Sequence, residues 1–335
     1  MTPFDIAALL AALALSTGFL VAVVAAVWWF DRYDREPLHL VAAVFFWGAL
    51  AAPVLAVAGA SALGAALSLG TTAMVGWLGP LLEEMAKAMG VVLVVVLSKE
   101  FDNPTDGLVY GTASGLGFAV TENLVYAAAG AGGIALQDGL MLVVVRTAMA
   151  AGIHAVSSAA FGGCLGFAYL SRNRAERAVW SLIGLIVAAA IHSGWNLMLL
   201  RLASVDDPDT MARFFVAIPV LYALYLATLF VFLRSEQQIL GRELAEEVEL
   251  DVVPDWVLEV IPFYRRRIRS EWWPSRRERT VLARLLTRLA FRKHAVKRLP
   301  EEESQIAGLE IVRLRQRIRA MLQCQTSVEG ERQER

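Results

Sequence analysis

Seven apolar runs, each about 20 residues or longer, follow one another through the first two thirds of the chain. They cover roughly residues 6–30, 38–62, 74–98, 107–129, 139–170, 178–201 and 212–233. About 20 apolar residues suffice for a helix to cross a bilayer. In hydrocarbon every backbone polar group must be satisfied within the protein, which makes such runs helices. The expected fold class is therefore all-α, a polytopic membrane helix bundle of about seven spans. The fifth run is long enough to tilt or to extend past the bilayer. The segment Ser61–Pro80, rich in Gly, Ser and Thr, has room for a short re-entrant piece.

Composition supports this reading and divides the chain. Of 335 residues 57% are hydrophobic, and the mean hydropathy is +0.53. The net charge of −1 conceals an asymmetry: 11 of the 31 Lys and Arg lie in the first 234 residues, the other 20 in the last 101. Two regions follow, a membrane domain over 1–234 and a charged helical tail over 235–335. Cys164 and Cys324 make no disulfide framework, and no zinc-finger spacing or HExxH helix is present. Met1-Thr2-Pro3-Phe4-Asp5 lacks the basic start of a signal peptide, so the first run is read as a retained span.

Loop charges set the expected orientation. Arg32 and Arg35 follow the first run, Lys99 the third, Arg172, Arg174 and Arg177 the fifth, and Arg234 with the basic tail the seventh. The intervening loops carry almost none. The expectation is N-terminus outside and C-terminus inside.

Depth then becomes an argument, because each helical residue advances about 1.5 Å. Glu84 lies roughly 22 Å from Lys99, Glu122 roughly 24 Å from Asp106, His154 roughly 27 Å from Arg172, and His192 roughly 22 Å from Arg177. Four runs thus carry polar groups at one level. Each intramembrane charge costs about 2.5–3.5 kcal/mol on insertion scales, and such groups usually mark pathways or chemistry. Unrelated structural ion pairs have no reason to share a level.

The third run holds Glu83, Glu84 and Lys87, three and four residues apart, so they meet on one helix face. Gly79-Pro80 marks a helix start, which places both carboxylates in a first turn. One of them can act as a base while the other pairs with Lys87. In the fourth run Gly107, Gly111 and Gly115 recur every four residues, a stripe for close helix approach. Glu122 and Asn123 follow it, with Phe118 one turn below as an apolar wall. The fifth run carries His154, Ser157 and Ser158. Arg146, two turns further out, is read as snorkelling to the outer interface. In the sixth, His192 and Asn196 share a face and can donate to a developing oxyanion.

Taken together these pieces resemble the PrsW family of intramembrane proteases. The resemblance covers roughly residues 20–200. It rests on Trp28-Trp29-Phe30-Asp31-Arg32-Tyr33-Asp34-Arg35-Glu36-Pro37, Glu83-Glu84-Met85-Ala86-Lys87, Asp106 to Gly111 with Gly117 to Asn123, His154, and His192-Ser193-Gly194-Trp195-Asn196. The family is similar to the CAAX prenyl endopeptidase and bacteriocin-processing group, with its EExxxR, FxxxH and HxxxN signatures. Here Lys87 takes the basic position one residue early, and Glu122 stands where the second signature has histidine.

The resemblance implies hydrolysis of peptide bonds in membrane-anchored proteins, anti-sigma factors among them. Carried over, Glu83 or Glu84 activates water, and His154 and His192 orient water or donate protons. Asn196 helps to hold the oxyanion, and Glu122 orients a histidine or binds metal. Lys87, Phe118 and Asn123 support them. Two mechanisms stand open. The glutamate acts directly, toward which the reading leans, or zinc sits on His154, His192 and Glu122 with an open position for water. Outside this class, an ion-coupled transporter or a silent scaffold for single-span proteins would also use buried acids and histidines.

In the tail, acidic residues dominate 236–259 and basic ones 264–298. A basic stretch with Trp272 and Trp273 suggests docking on anionic lipid, and not nucleic-acid binding. The competing reading is a small helical domain whose acidic and basic segments pair with each other. Ile311, Leu314, Ile318 and Leu322 recur at helical spacing and close it with one more amphipathic helix.

Overall fold

The computed structural model of the chain describes residues 3–98, 100–130, 136–204, 208–269, 272–298 and 301–333; Lys99, used above as a loop marker, lies outside them. Every regular element among the described residues is helical. The fold divides into two compact units. One comprises residues 1–30, 36–169 and 175–229, the other residues 31–35, 170–174 and 230–335.

The seven apolar runs of the sequence are helical, the last of them ending beyond the first unit. They begin with α1 (Pro3–Phe30), then α2 (Leu38–Phe46) and α3 (Ala52–Leu67) joined by a π turn at Trp47–Ala51. A short α4 (Thr71–Ala73) runs through a second π turn, Met74–Leu78, into α5 (Gly79–Leu97). Next come α6 (Pro104–Gly130), α7 (Leu136–Val145), a third π turn at Arg146–Ala150, α8 (Ala151–Tyr169) and α9 (Arg174–Ser204). The division between the units falls within α10 (Pro208–Glu249). Five of these stretches are long and apolar enough to cross a membrane by length and composition. The third and fourth runs are the least lipid-like, since α5 carries three charges and α6 is rich in Gly, Ser and Thr. Between α3 and α4 the chain turns at Ser68, whose φ of 50° is left-handed. Ser61–Pro80 is thus a helix end, a tight turn and a helix start, with no separate re-entrant piece.

The centre of this unit is α6, buried from Thr105 to Ala119. The glycine stripe explains why. A methyl group added at Gly107, Gly111 or Gly115 would overlap the backbone carbonyl of Gly162, Ser158 or His154 on α8. On the opposite side Gly117 abuts Phe45, and Gly48 abuts Ser114. Backbone-to-backbone approach of this kind maximises dispersion contacts where the hydrophobic effect gives no drive for helix pairing.

The π turns each free carbonyls, which must find donors in an apolar setting. Thr121 Oγ1 donates to Ala49 O, and the Tyr222 hydroxyl donates to Ala148 O at 2.6 Å. Asn196 Nδ2 donates to Val75 O at 2.9 Å. The last case follows from sequence: Gly79 N–H bonds Met74 O, five residues back, and the next amide in that register would be Pro80, which has none. Val75 O is thereby left for Asn196. Pro80 does not restart the helix; the π turn absorbs it.

The second unit adds α11 (Trp256–Val260), α12 (Tyr264–Arg267), α13 (Arg276–Val296) and α14 (Glu301–Gln333). Its core includes Tyr33, Leu240, Leu244, Ile261, Trp273, Leu282, Leu286, Leu289, Leu314 and Ile318. The Trp256, Trp272 and Trp273 rings pack on one another, with centroids 5.6–6.4 Å apart. These tryptophans therefore belong to a folded core. The acidic and basic segments also pair: Lys293 Nζ lies 2.6 Å from Glu247, Lys297 Nζ 2.7 Å from Glu243, and Arg315 Nη2 2.7 Å from Glu247. Burial alone would raise the pKa of Glu247, but hydrogen bonds from Arg315 and Lys293 outweigh it and hold the carboxyl below its ordinary value.

Two outcomes are expected. Gly111→Ala lowers the unfolding temperature of the purified protein, at a cost of about 1–3 kcal/mol for overpacking, whereas Gly18→Ala, with nothing within 4 Å, leaves it unchanged. A carboxyl whose native pKa is lowered contributes stability above its unfolded pKa and loses it as pH falls through the native value. Tryptophan fluorescence of the full chain should therefore report loosening of the second unit only below the ordinary carboxylate range, and Glu247→Gln should flatten that acid transition.

Candidate active site

Glu84 on α5 is 1% exposed and gathers donors from three helices. Its Oε1 accepts from Lys87 Nζ at 2.5 Å, Ser157 Oγ at 2.9 Å and His192 Nδ1 at 2.8 Å. Its Oε2 accepts from Ser158 Oγ at 3.0 Å. A buried carboxylate survives only when paired and hydrogen-bonded, and this one is both. Lys87, fully buried, also reaches His154 Nδ1 at 3.0 Å and stands 4.6 Å from the Phe118 ring centroid.

These contacts assign the imidazole protons. An ammonium only donates, so His154 Nδ1 accepts from Lys87 and its Nε2–H donates to Glu122 Oε2 at 2.6 Å. A carboxylate only accepts, so His192 donates from Nδ1 to Glu84, which leaves its Nε2 lone pair directed away. The two imidazoles meet edge to face, centroids 4.7 Å apart.

Glu83, adjacent in sequence, has a different environment. Its Oε2 is buried with no hydrogen-bond partner among the described residues, 3.6 Å from His192 Nε2. It lines a cavity of about 480 Å³ together with Pro80, Glu122, Tyr126, Arg146, His154, His192, Trp195 and Asn196. Glu84 does not line that cavity. Glu122 takes a second partner in Arg146, whose Nη2 is 2.8 Å away. Arg146 also donates from Nε to Asn123 Oδ1 at 3.1 Å, and its guanidinium carbon lies 3.8 Å from the Tyr126 ring centroid.

All six candidate residues thus come into one neighbourhood: Glu83, Glu84, Glu122, His154, His192 and Asn196. Asn123 stands behind Arg146 and bonds Ser16 and Thr147, each at 3.3 Å. Phe118 faces Lys87 and His154, 5.2 Å from the latter ring, and so walls the histidine. Arg146 does not snorkel; an acidic partner one helix away holds it inward. Ser157, Ser158 and Tyr126 received no role from sequence. Hydroxyls in membrane helices usually bond their own backbone, so nothing marked the two serines as ligands of Glu84.

The donor set fits a metal ion. Glu83, His154 and His192 each offer one ligand atom, all within 4.8 Å of one another. Glu83 Oε2 has no hydrogen-bond partner among the described residues, and His192 is oriented by Glu84 through its other nitrogen, the arrangement that metal-bound histidines require. The carboxylate in this cluster is that of Glu83, and Glu122 bonds His154, the first of the two roles expected of it. Both nitrogens of His154 are engaged, so ligation there requires it to release one partner.

Fold and site together define an intramembrane hydrolase. The chain belongs to the PrsW family of intramembrane metalloproteases, whose family model matches residues 36–228. It is 29% identical over 184 residues to Protease PrsW of Bacillus subtilis (strain 168), covering 52% of this chain and 76% of the relative. It is likewise 29% identical over 177 residues to Protease PrsW of Geobacillus kaustophilus (strain HTA426), covering 51% and 71%. No solved structure matches the chain. It is a multi-pass protease of the bacterial cell membrane, which displaces the transporter reading.

The two glutamates should separate in stability. Glu84→Gln leaves the Lys87 ammonium buried without its counter-charge, a loss of about 3–5 kcal/mol. Glu83→Gln removes no hydrogen bond and should stay within about 1 kcal/mol of the parent. Thermal unfolding of the two purified variants compares them directly.

Proposed function

We propose that Glu83 is the reacting carboxylate, in a protease that cleaves single-span, membrane-anchored regulators of the anti-sigma kind. The observation that carries this reading is the unpartnered Oε2 of Glu83 in the cavity, beside a Glu84 saturated with donors. Glu83 takes a proton from the attacking water and later passes it to the leaving amine, so the amide is replaced by an acid and an amine. The second N–H of Asn196 and the Arg146 guanidinium are the donors available to a developing oxyanion. Glu84 holds His192, while Glu122 and Lys87 hold His154, which gives up one of these two partners to take a metal ion.

Glu83, His154 and His192 would hold a divalent ion such as zinc, in keeping with the metalloprotease description of the family. Such an ion supplies Lewis acidity and lowers the pKa of water toward neutrality. A carboxylate has two oxygens, so ligation through one leaves the other able to take a proton. Loop charges favour an N-terminus outside and a tail, from about residue 235, in the cytoplasm. On this division the protease domain is 1–234.

Glu83→Gln should reduce cleavage of a single-span reporter by about 10²–10⁴-fold without loss of folded protein. Equal cleavage by parent and variant contradicts the assignment. Metal analysis of the purified full chain should find stoichiometric zinc, with cleavage lost on chelation and restored on adding it back. Metal-free protein that cleaves normally in chelator would return the direct glutamate mechanism.

A further inference from the structure

The loop Asp31–Arg35 carried part of the family resemblance, and the candidate site described above does not account for it. It belongs instead to the second unit. Tyr33 lies in that unit's core, its hydroxyl donating to Pro262 O at 2.9 Å, and Arg267 Nη2 donates to Tyr33 O at 3.0 Å. The anchored loop forms one wall of a cavity of about 310 Å³, and α12 and α13 form the others.

Six guanidinium groups line it: Arg32, Arg35, Arg267, Arg276, Arg279 and Arg284. Among the described residues the one carboxylate in the lining is Asp34. The residues contributed by α13 recur at positions 276, 279, 280, 283 and 284, the spacing of one helical face. Two of its arginines sit in the first turn of α13, where the dipole disfavours cations.

The floor is fixed as well as charged. Arg267 is locked by Thr287 Oγ1 at 3.0 Å and by Tyr33 O, so its fork is preorganised. Arg32 stacks over Tyr264, 5.4 Å from the ring centroid, and Arg35 Nη2 reaches the Tyr264 hydroxyl at 3.4 Å. The planar guanidinium fork matches the oxygens of a phosphate, and several forks around one cavity suit a group with more than one negative charge.

We propose that this cavity is a binding site for a multiply charged phosphate group, carried by a soluble phosphate compound or by a phosphomonoester lipid headgroup. The site lies wholly within the second unit and its occupancy does not depend on the peptidase chemistry.

The test uses the full chain in phosphatidylcholine nanodiscs. Calorimetric titration with inorganic pyrophosphate reads the soluble source. Native mass spectrometry of protein loaded with equal phosphatidic acid and phosphatidylcholine reads the lipid source. The variants are the pair Arg279→Ala/Arg284→Ala and, as a control that removes one positive charge of the same helix outside the cavity, Arg277→Ala. Loss of charge-assisted contacts should weaken binding by the pair at least about tenfold, with Arg277→Ala close to the parent. Thermal unfolding in phosphate-free buffer verifies that the variants fold. If the alanine pair does not, Arg279→Lys/Arg284→Lys keeps the charge and loses the fork, and should still weaken binding. Selective loss in the pyrophosphate arm establishes a soluble ligand, and selective loss in the lipid arm a headgroup. Binding of neither probe, or equal loss for the pair and for Arg277→Ala, overturns the proposal.

Discussion

A carboxylate buried in a membrane domain must be surrounded by donors or it will not stay, and Glu84 satisfies that demand with side chains from α5, α8 and α9. The demand is mutual. Lys87 is buried too, and its remaining donors turn to His154 and to the face of Phe118. His192 is set by the same carboxylate, so one group fixes two imidazoles that are far apart in sequence. The two adjacent glutamates differ accordingly: Glu84 is committed to its neighbours, and Glu83 has an oxygen at the cavity, the basis for the reacting role proposed for it.

That clasp closes only because α6 and α8 pack backbone against backbone. Gly115 abuts His154 itself, so the stripe that looks like simple packing also sets the height of the histidine against Glu122. The π turns contribute in the same way. The one at Met74–Leu78 leaves Val75 O to Asn196, and the one at Arg146–Ala150 begins with the arginine that pairs with Glu122. Irregular backbone in a membrane helix has to be satisfied by side chains, and here two of the three irregular turns draw on or present residues that line the cavity.

Much of this was legible beforehand. Helical rise is fixed, so counting from loop charges put Glu84, Glu122, His154 and His192 at one level, and small-residue spacing marked a close helix approach on α6 without naming its partner. The choice between Glu83 and Glu84 was not legible. Adjacent residues point about 100° apart around a helix, and only the packing of three other helices decides which one meets donors and which the cavity. Arg146 was misread because a long cation near a helix end usually snorkels, and its acidic partner lies on another span. The tail's tryptophans suggested a lipid-facing stretch, since composition alone cannot distinguish an interfacial aromatic from one packed among other rings. The acidic and basic segments, by contrast, pair as their charges invite.

The claim on which the account rests is that Glu84 and Lys87 hold the two site histidines in opposite proton arrangements. Nitrogen-15 NMR of the full chain labelled at its four histidines, with His154→Gln and His192→Gln to assign the signals, reads this directly. The account predicts His192 protonated at Nδ1 and His154 at Nε2 in the metal-free protein near neutral pH. Two histidines with the same tautomer, or both exchanging freely between tautomers as in water, would contradict it.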